Sequence, residues 1–125
     1  MDKTYDIWIE YASRDLASAR HLLTLYPIPL EIICYHCQQS AEKFLKAYLI
    51  FQKIVPKRTH DLEELFKECI KFDESFLSIE EECSNLTDFA VNTRYPYELE
   101  LTLEDTKSAI KDAEKIKEYI LTKIS

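Results

Sequence analysis

The chain has 125 residues, of which 46% are hydrophobic, and it carries a formal net charge of −7 at pH 7. This size and apolar content predict one globular domain over residues 1–125 and exclude a disordered chain. The acidic balance argues against extended binding of DNA or RNA but is compatible with a small local basic site, and the absence of glycine excludes glycine-rich phosphate loops.

The lack of glycine and the presence of only four prolines also favour an all-helical chain, because helices need few turn residues between them. The N-terminal segment has no uninterrupted apolar core of the kind found in signal peptides. No apolar run approaches the roughly 18 residues of a membrane span. The sequence therefore predicts a cytoplasmic protein that makes no membrane contact.

Apolar residues spaced by three or four predict helix 1 over residues 5–26. The apolar stripe consists of Tyr5, Trp8, Ile9, Ala12, Leu16, Ala19 and Leu23. Pro27 and Pro29 should end this helix, since proline is not tolerated in a helix interior.

Helix 2, which should end near Gln52, is the element around which the chain is expected to fold. Its apolar stripe comprises Ile33, Cys37, Ala41, Phe44, Tyr48 and Phe51. A second, polar stripe comprises His36, Gln39, Glu42, Lys43 and Lys46. Because Ile32 and Tyr35 lie outside the apolar stripe, we expect the middle helix of a bundle, with its other face in contact with something else, such as a second subunit.

The rest of the chain predicts three more helices. Helix 3 covers residues 62–70, helix 4 covers residues 76–93, and helix 5 extends to about Lys123. Pro96 follows the end of helix 4, because a proline disfavours the helical conformation of the residue before it. The sequence thus predicts an all-α, antiparallel up-and-down bundle of five helices.

Two of these helices begin with residues that have the spacing of N-terminal caps, and at the start of helix 3 this spacing fits a capping box. Asp61 is followed by Glu64 at the start of helix 3, and Thr102 is followed by Asp105 at the start of helix 5. In such a pair, the first side chain accepts from a backbone N–H of the first turn.

The four cysteines lie in segments with helical apolar periodicity, which favours buried free thiols. They are Cys34, Cys37, Cys69 and Cys83. Cys34 and Cys37, with His36 between them, resemble a metal or redox motif. However, His36 should point away from both thiols in a helix, and no second pair follows at zinc-finger spacing. We therefore expect neither a metal nor a cofactor.

Three cationic side chains allow both a structural and a functional interpretation. Lys43 and Lys46 could bind phosphate, or Lys46 could support the helix by pairing with Glu42 one turn earlier. Arg94 could satisfy the last carbonyl groups of helix 4, or its guanidinium could bind an anion. The sequence alone leaves these alternatives open.

Several blocks of sequence resemble the HEPN domain family, the higher eukaryotes and prokaryotes nucleotide-binding domains. Trp8, Ala12, Asp15, Leu16 and Ala19 resemble its opening W-x3-A-x2-D-L-x2-A pattern. Residues 35–47, Y-H-C-Q-Q-S-A-E-K-F-L-K-A, resemble its F-H-x-Q-Q-A-x-E-K-x-L-K-A core. The segments T-H-D-L at 59–62 and R-Y-P at 94–96 complete a resemblance that spans nearly the whole chain.

This resemblance implies a bundle like the substrate-binding subunits of nucleotidyltransferases. It also implies a homodimer that pairs with a minimal nucleotidyltransferase in a toxin–antitoxin-like context and binds a nucleotide or other anion. In the family, the end of helix 4 lies at a cleft between subunits, so Arg94 and Tyr95 should approach their symmetry mates. The candidate ligand-binding residues are Arg94, Tyr95, Gln39, Lys43, Lys46, Glu42 and His36.

One departure from the family pattern bears on catalysis. Ribonuclease members carry an arginine followed four to six residues later by a histidine. Counted from Arg94, those positions are Leu99, Glu100 and Leu101, and no histidine occurs after His60. The general acid–base group of RNA cleavage is missing there. We therefore expect no catalytic residues and a binding module of the R-Y-P branch. A divergent metal-independent ribonuclease is the alternative. A third interpretation is an interaction scaffold with no small-molecule ligand, which the sequence does not separate from the binding module.

Overall fold

The computed structural model describes residues 4–89 and 101–124. Within these ranges the chain forms five α-helices and one 3-10 helix and contains no strand. The elements are α1 (Thr4–Leu22), α2 (Leu30–Phe51), α3 (Leu62–Phe72), the 3-10 helix (Glu74–Ile79), α4 (Glu80–Thr87) and α5 (Leu103–Lys123). The expected all-α helical bundle is confirmed.

Helix α2 is the central element, as its sequence predicted. The apolar stripe from Ile33 to Tyr48 is buried in the core, and Phe44 is fully buried. Helix α1 packs antiparallel along α2, because Tyr5 contacts Phe51 near one end while the Ser40 hydroxyl donates to the Ala12 carbonyl farther along. Helices α3, α4 and α5 pack on the other sides of the core.

Two of the expected helix boundaries are wrong. Helix α1 ends at Leu22, because the next three residues form tight turns in which each N–H bonds three residues back. The expected helix over residues 76–93 is divided into a 3-10 helix and α4, which ends at Thr87. Asp73 causes the early start, because its side chain accepts from the Ser75 N–H and caps the 3-10 helix. Residues 90–93 lie outside the described ranges.

Both expected N-caps are present, but the capping box expected from Asp61 and Glu64 does not form, because the Asp61 N–H donates to the Thr59 hydroxyl at 3.0 Å instead. Asp61 accepts from the N–H of Glu63 at 2.9 Å and begins α3. Thr102 and Asp105 form a reciprocal capping box at the start of α5. These side chains satisfy N–H groups that the first helical turn leaves without a partner.

The four cysteines are free and buried, as expected. Burial raises the pKa of each thiol, and for Cys83 the pKa rises to about 12. The thiols therefore act as small apolar groups of the core. In the part of the chain that the structure describes, no helix is long and apolar enough to cross a bilayer.

Candidate functional site

Three of the family-like sequence blocks meet along one face of α2. They are the block in α1, residues 35–47 of α2, and residues 59–62 at the end of the α2–α3 loop. There, polar side chains of α2 contact α1 on one side and the end of the α2–α3 loop on the other. We call this arrangement the polar seam, and it consists of Asp15, His36, Gln38, Gln39, Glu42, Lys43, Lys46 and His60.

Asp15 of α1 forms the first centre of the seam. Its Oδ1 lies 3.0 Å from Nδ1 of His36, and its Oδ2 accepts from Nζ of Lys43 at 2.5 Å. Asp15 follows Ala12 by about one turn on the helix face that packs against α2, so both partners are within its reach. The Asp15 carboxylate therefore connects α1 to α2 through an imidazole, His36, and an ammonium group, Lys43.

Glu42 of α2 forms the second centre and is the more buried of the two carboxylates, with 3% of its side chain exposed. Nζ of Lys46 donates to it at 3.1 Å, and Nδ1 of His60 lies 3.3 Å from both carboxylate oxygens. The Lys46 ammonium also lies 5.4 Å from the centroid of the Trp8 ring. Burial of the Glu42 charge is thus compensated by a cation and an imidazole.

Two glutamines extend the seam towards the loop. Nε2 of Gln39 donates to Oε1 of Gln38 at 2.9 Å, and Nε2 of Gln38 donates to the backbone carbonyl of His60 at 3.4 Å. His60 is therefore attached to α2 through both its backbone and its ring. The His60 side chain is 84% exposed, so the part of the ring that does not contact Glu42 is open to solvent.

The structure bears on whether Lys43 and Lys46 bind phosphate or form structural ion pairs. Each ammonium is already paired with a carboxylate, so the positive charge that it offers an anion is largely compensated. The Glu42–Lys46 pair expected from the one-turn spacing is present. In the described ranges, no group of three or more His, Cys, Asp or Glu side chains is arranged to hold a metal ion.

The structure places five of the candidate residues together, namely His36, Gln39, Glu42, Lys43 and Lys46. The stripe was expected to contact something outside the bundle, such as a second subunit, but many of its contacts are within the chain. Much of it faces α1 and the α2–α3 loop, and Glu42 and Lys46 are buried. Arg94 and Tyr95 lie outside the described residues.

Sequence reasoning missed the two residues that organise the seam from other elements, Asp15 and His60. In the sequence, Asp15 and His60 appear only as members of the family-like blocks, and no contact or role follows for either from the helical pattern. Their positions in the family-like blocks were the signal from which a functional role for Asp15 and His60 could have been predicted. Their partners are at least 18 positions away in sequence, so periodicity within one helix does not reveal the contacts.

The fold and the seam together define a class: small all-α bundles whose central helix carries His, Gln, Glu and Lys side chains tied to neighbouring elements. A profile of the HEPN domain matches residues 5–124. Since this match covers nearly all of the sequence, the chain belongs to the HEPN domain family.

Three proteins illustrate the similarity. "Putative toxin MJ1304" of Methanocaldococcus jannaschii is 32% identical over 130 residues, covering 91% of this chain and 84% of that protein. The crystal structure of ST0689, an archaeal HEPN homologue, aligns with a TM-score of 0.76 at 26% identity and covers both chains fully. TT1696 from Thermus thermophilus has a similar fold, with a TM-score of 0.80 at 23% identity over 98% of this chain and 99% of that one.

Proposed function

We propose that this protein is a homodimeric HEPN binding module. It pairs with a minimal nucleotidyltransferase in a toxin–antitoxin-like system and binds a nucleotide or other anion near Arg94. One observation supports a binding role over catalysis. The ribonuclease pattern requires a histidine at one of positions 99–101, and this HEPN sequence has Leu99, Glu100 and Leu101 there. The relative from Methanocaldococcus jannaschii named as a toxin supports the toxin–antitoxin context.

Exposed apolar side chains on α1 and α2 support the homodimer. Ile32 and Tyr35 of α2 are 46% and 41% exposed, and Ile7 and Tyr11 of α1 are similarly open to solvent. Closed two-fold contacts are the commonest way for a soluble chain to bury such residues. A dimer would also bring two copies of Arg94 together if helix 4 ends at the subunit cleft. Two guanidinium groups at close range favour a bound anion between them.

The test combines mass and binding. Light scattering of the purified chain is expected to give twice the 14.8 kDa chain mass. The Arg94→Ala variant should keep that mass but bind ATP, or the nucleotidyltransferase encoded by a neighbouring reading frame, at least several-fold more weakly. Arg20→Ala is the matched control, because Arg20 is exposed and pairs with Glu114 of α5, away from the exposed apolar residues named above. A monomer, or equal binding by both variants, would refute the composite site.

A divergent ribonuclease is the second candidate, and one structural observation favours it. Nδ1 of His60 contacts the buried carboxylate of Glu42 while most of the side chain is exposed, an arrangement that general bases use. We nevertheless expect purified protein to cleave RNA no faster than a mock preparation. Cleavage that is lost in both Arg94→Ala and His60→Ala would establish the enzyme instead.

A further inference from the structure

A groove of about 530 Å³ lies between α3 and α4. The α3 wall is made of described residues that are spaced by three or four and therefore share one helix face. They are Glu63, Phe66, Lys67 and Ile70. On the opposite side, lining residues extend from Glu80, the first residue of α4, to Asp88, its C-cap. The groove therefore follows α4 along its whole length, on elements that do not contribute to the polar seam.

The floor of the groove is apolar. Phe66 and Cys83 line it and are only 6% and 2% exposed, and Ile70 is half-buried against the same core. Burial raises the pKa of the Cys83 thiol to about 12, so this side chain is uncharged near neutral pH. A ligand that reaches the floor therefore buries hydrophobic surface there.

The rim of the groove is acidic. Of the described residues that line it, four carry a carboxylate, whereas one, Lys67, carries an ammonium group. The carboxylates belong to Glu63, Glu80, Glu81 and Asp88, and all four residues are exposed. Lys67 lies 3.4 Å from Glu63 and compensates its charge. The surplus of negative charge is therefore on the α4 side.

Helix stability explains only part of this rim. Glu80 and Glu81 lie in the first turn of α4, where the helix dipole favours a carboxylate. Asp88 is the C-cap of the same helix, where the dipole disfavours one. Because α4 has eight residues, a rise of about 1.5 Å per residue separates its ends by about 12 Å. The groove thus presents negative charge at both ends, about two helical turns apart.

We propose that this groove is a docking site for a basic amphipathic helix of a protein partner. Apolar side chains of that helix pack on Phe66 and Ile70, and cations about two turns apart pair with Glu80 and Asp88. Charge complementarity selects a basic segment over an acidic one. The site requires neither a dimer nor Arg94, so it goes beyond the proposed function.

A synthetic peptide of leucine and lysine tests the groove. It is about 14 residues long, and its leucines share one helix face between lysines two turns apart. Fluorescence anisotropy with the labelled peptide should show saturable binding that weakens as salt is added. The double variant Glu80→Gln/Asp88→Asn should bind it about fivefold more weakly, because each exposed ion pair contributes modestly.

The matched control for the protein is Glu104→Gln/Glu118→Gln on α5. It removes the same charge from two exposed residues outside the groove, and Glu104, like Glu80, lies in the first turn of its helix. This variant should bind the peptide as the unmodified protein does. Equal losses in the two double variants would reduce the effect to overall charge and overturn the proposal, as would a lack of saturable binding at low salt.

A scrambled peptide of the same composition tests the apolar floor, because it keeps the lysines but has no continuous leucine face. We expect it to bind several-fold more weakly than the amphipathic peptide. Equal binding of the two peptides would show attraction by charge alone and refute the docking site. Light scattering without peptide tests a second copy of this chain as the occupant. A mass that falls in Glu80→Gln/Asp88→Asn would show that the groove serves self-association and would refute a separate partner.

Discussion

At the scale of single residues, Lys53 shows how a chain without glycine ends its central helix. Lys53 has a φ of 63°, and the bonds from Lys53 to Ile50 and from Ile54 to Leu49 form a Schellman motif. The residue at this position usually is glycine, because a Cβ atom crowds the backbone in the left-handed conformation. Lysine here therefore stores local strain of roughly 1 kcal/mol.

Replacement of this lysine by glycine is expected to relieve the strain. The Lys53→Gly variant should be about 0.5–1 kcal/mol more stable than Lys53→Ala, because both lose the ammonium and only alanine keeps the Cβ atom. Urea denaturation of the two variants measures the difference in the free energy of unfolding. A glycine variant no more stable than the alanine variant would show that the left-handed backbone carries no Cβ strain.

At the scale of elements, Asp73 connects the end of α3, the 3-10 helix and the end of α5. Its Oδ1 accepts from the backbone N–H of Ser75 at 2.9 Å, and its Oδ2 accepts from Nζ of Lys123 at 2.8 Å. The hydrogen bonds from Lys123 and Ser75 lower the pKa of this carboxyl from 3.8 to about 2. One carboxylate thus caps one helix and pairs with the last turn of another.

The lowered pKa predicts a pH dependence of stability with a definite sign. Because the pKa of Asp73 is lower in the folded chain, its contacts stabilise the fold above about pH 4 and lose that effect as the pH falls towards 2. The stability difference between the unmodified protein and Asp73→Asn should therefore shrink over this range. Thermal denaturation at several pH values measures it.

Glu118→Gln on α5 is the control for this experiment, because Glu118 is an exposed carboxylate of the helix that carries Lys123. Its stability difference from the unmodified protein should change less between pH 4 and pH 2. If the Asp73→Asn difference stays constant as the pH falls, the Asp73–Lys123 contact does not stabilise the folded state in solution.

At the scale of the whole molecule, α2 packs against each of the other four α-helices, α1, α3, α4 and α5. The core around it includes side chains of α1, α3, α4 and α5 as well as Phe76 of the 3-10 helix. Phe44 and Phe76 are among the largest fully buried side chains in the described part of the chain. Loss of a large side chain from α2 should therefore weaken the packing of several helices at once.

Truncation of Phe44 tests this central position. The Phe44→Ala variant should lower the free energy of unfolding by about 3–5 kcal/mol, through lost burial and the cavity that remains. Phe72→Ala is the matched control, because Phe72 at the end of α3 is 57% exposed and should cost below about 1 kcal/mol. Chemical denaturation measures both. A cost below about 1 kcal/mol for Phe44→Ala would remove Phe44 from the core.

Much of this architecture was predictable from local sequence. The spacing of apolar residues identified α2 as central and correctly placed Ile33, Phe44 and Tyr48 in the core. Asp61 and Thr102 marked the starts of α3 and α5, because a cap acts on the N–H groups of its own first turn. These features depend on residues within about one helical turn of each other, which is the distance over which a sequence pattern is informative.

Tertiary structure decided which polar groups are paired. The sequence places His36 and Lys43 on the polar stripe of α2 without identifying a partner, and in the structure both contact Asp15, which is 21 and 28 positions away. Glu42 likewise gains His60 from across a loop. These contacts exist because α1 packs antiparallel against α2 in one register and the loop returns over the same face. Periodicity determines the face on which a side chain lies, whereas the packing of whole helices determines what that face meets.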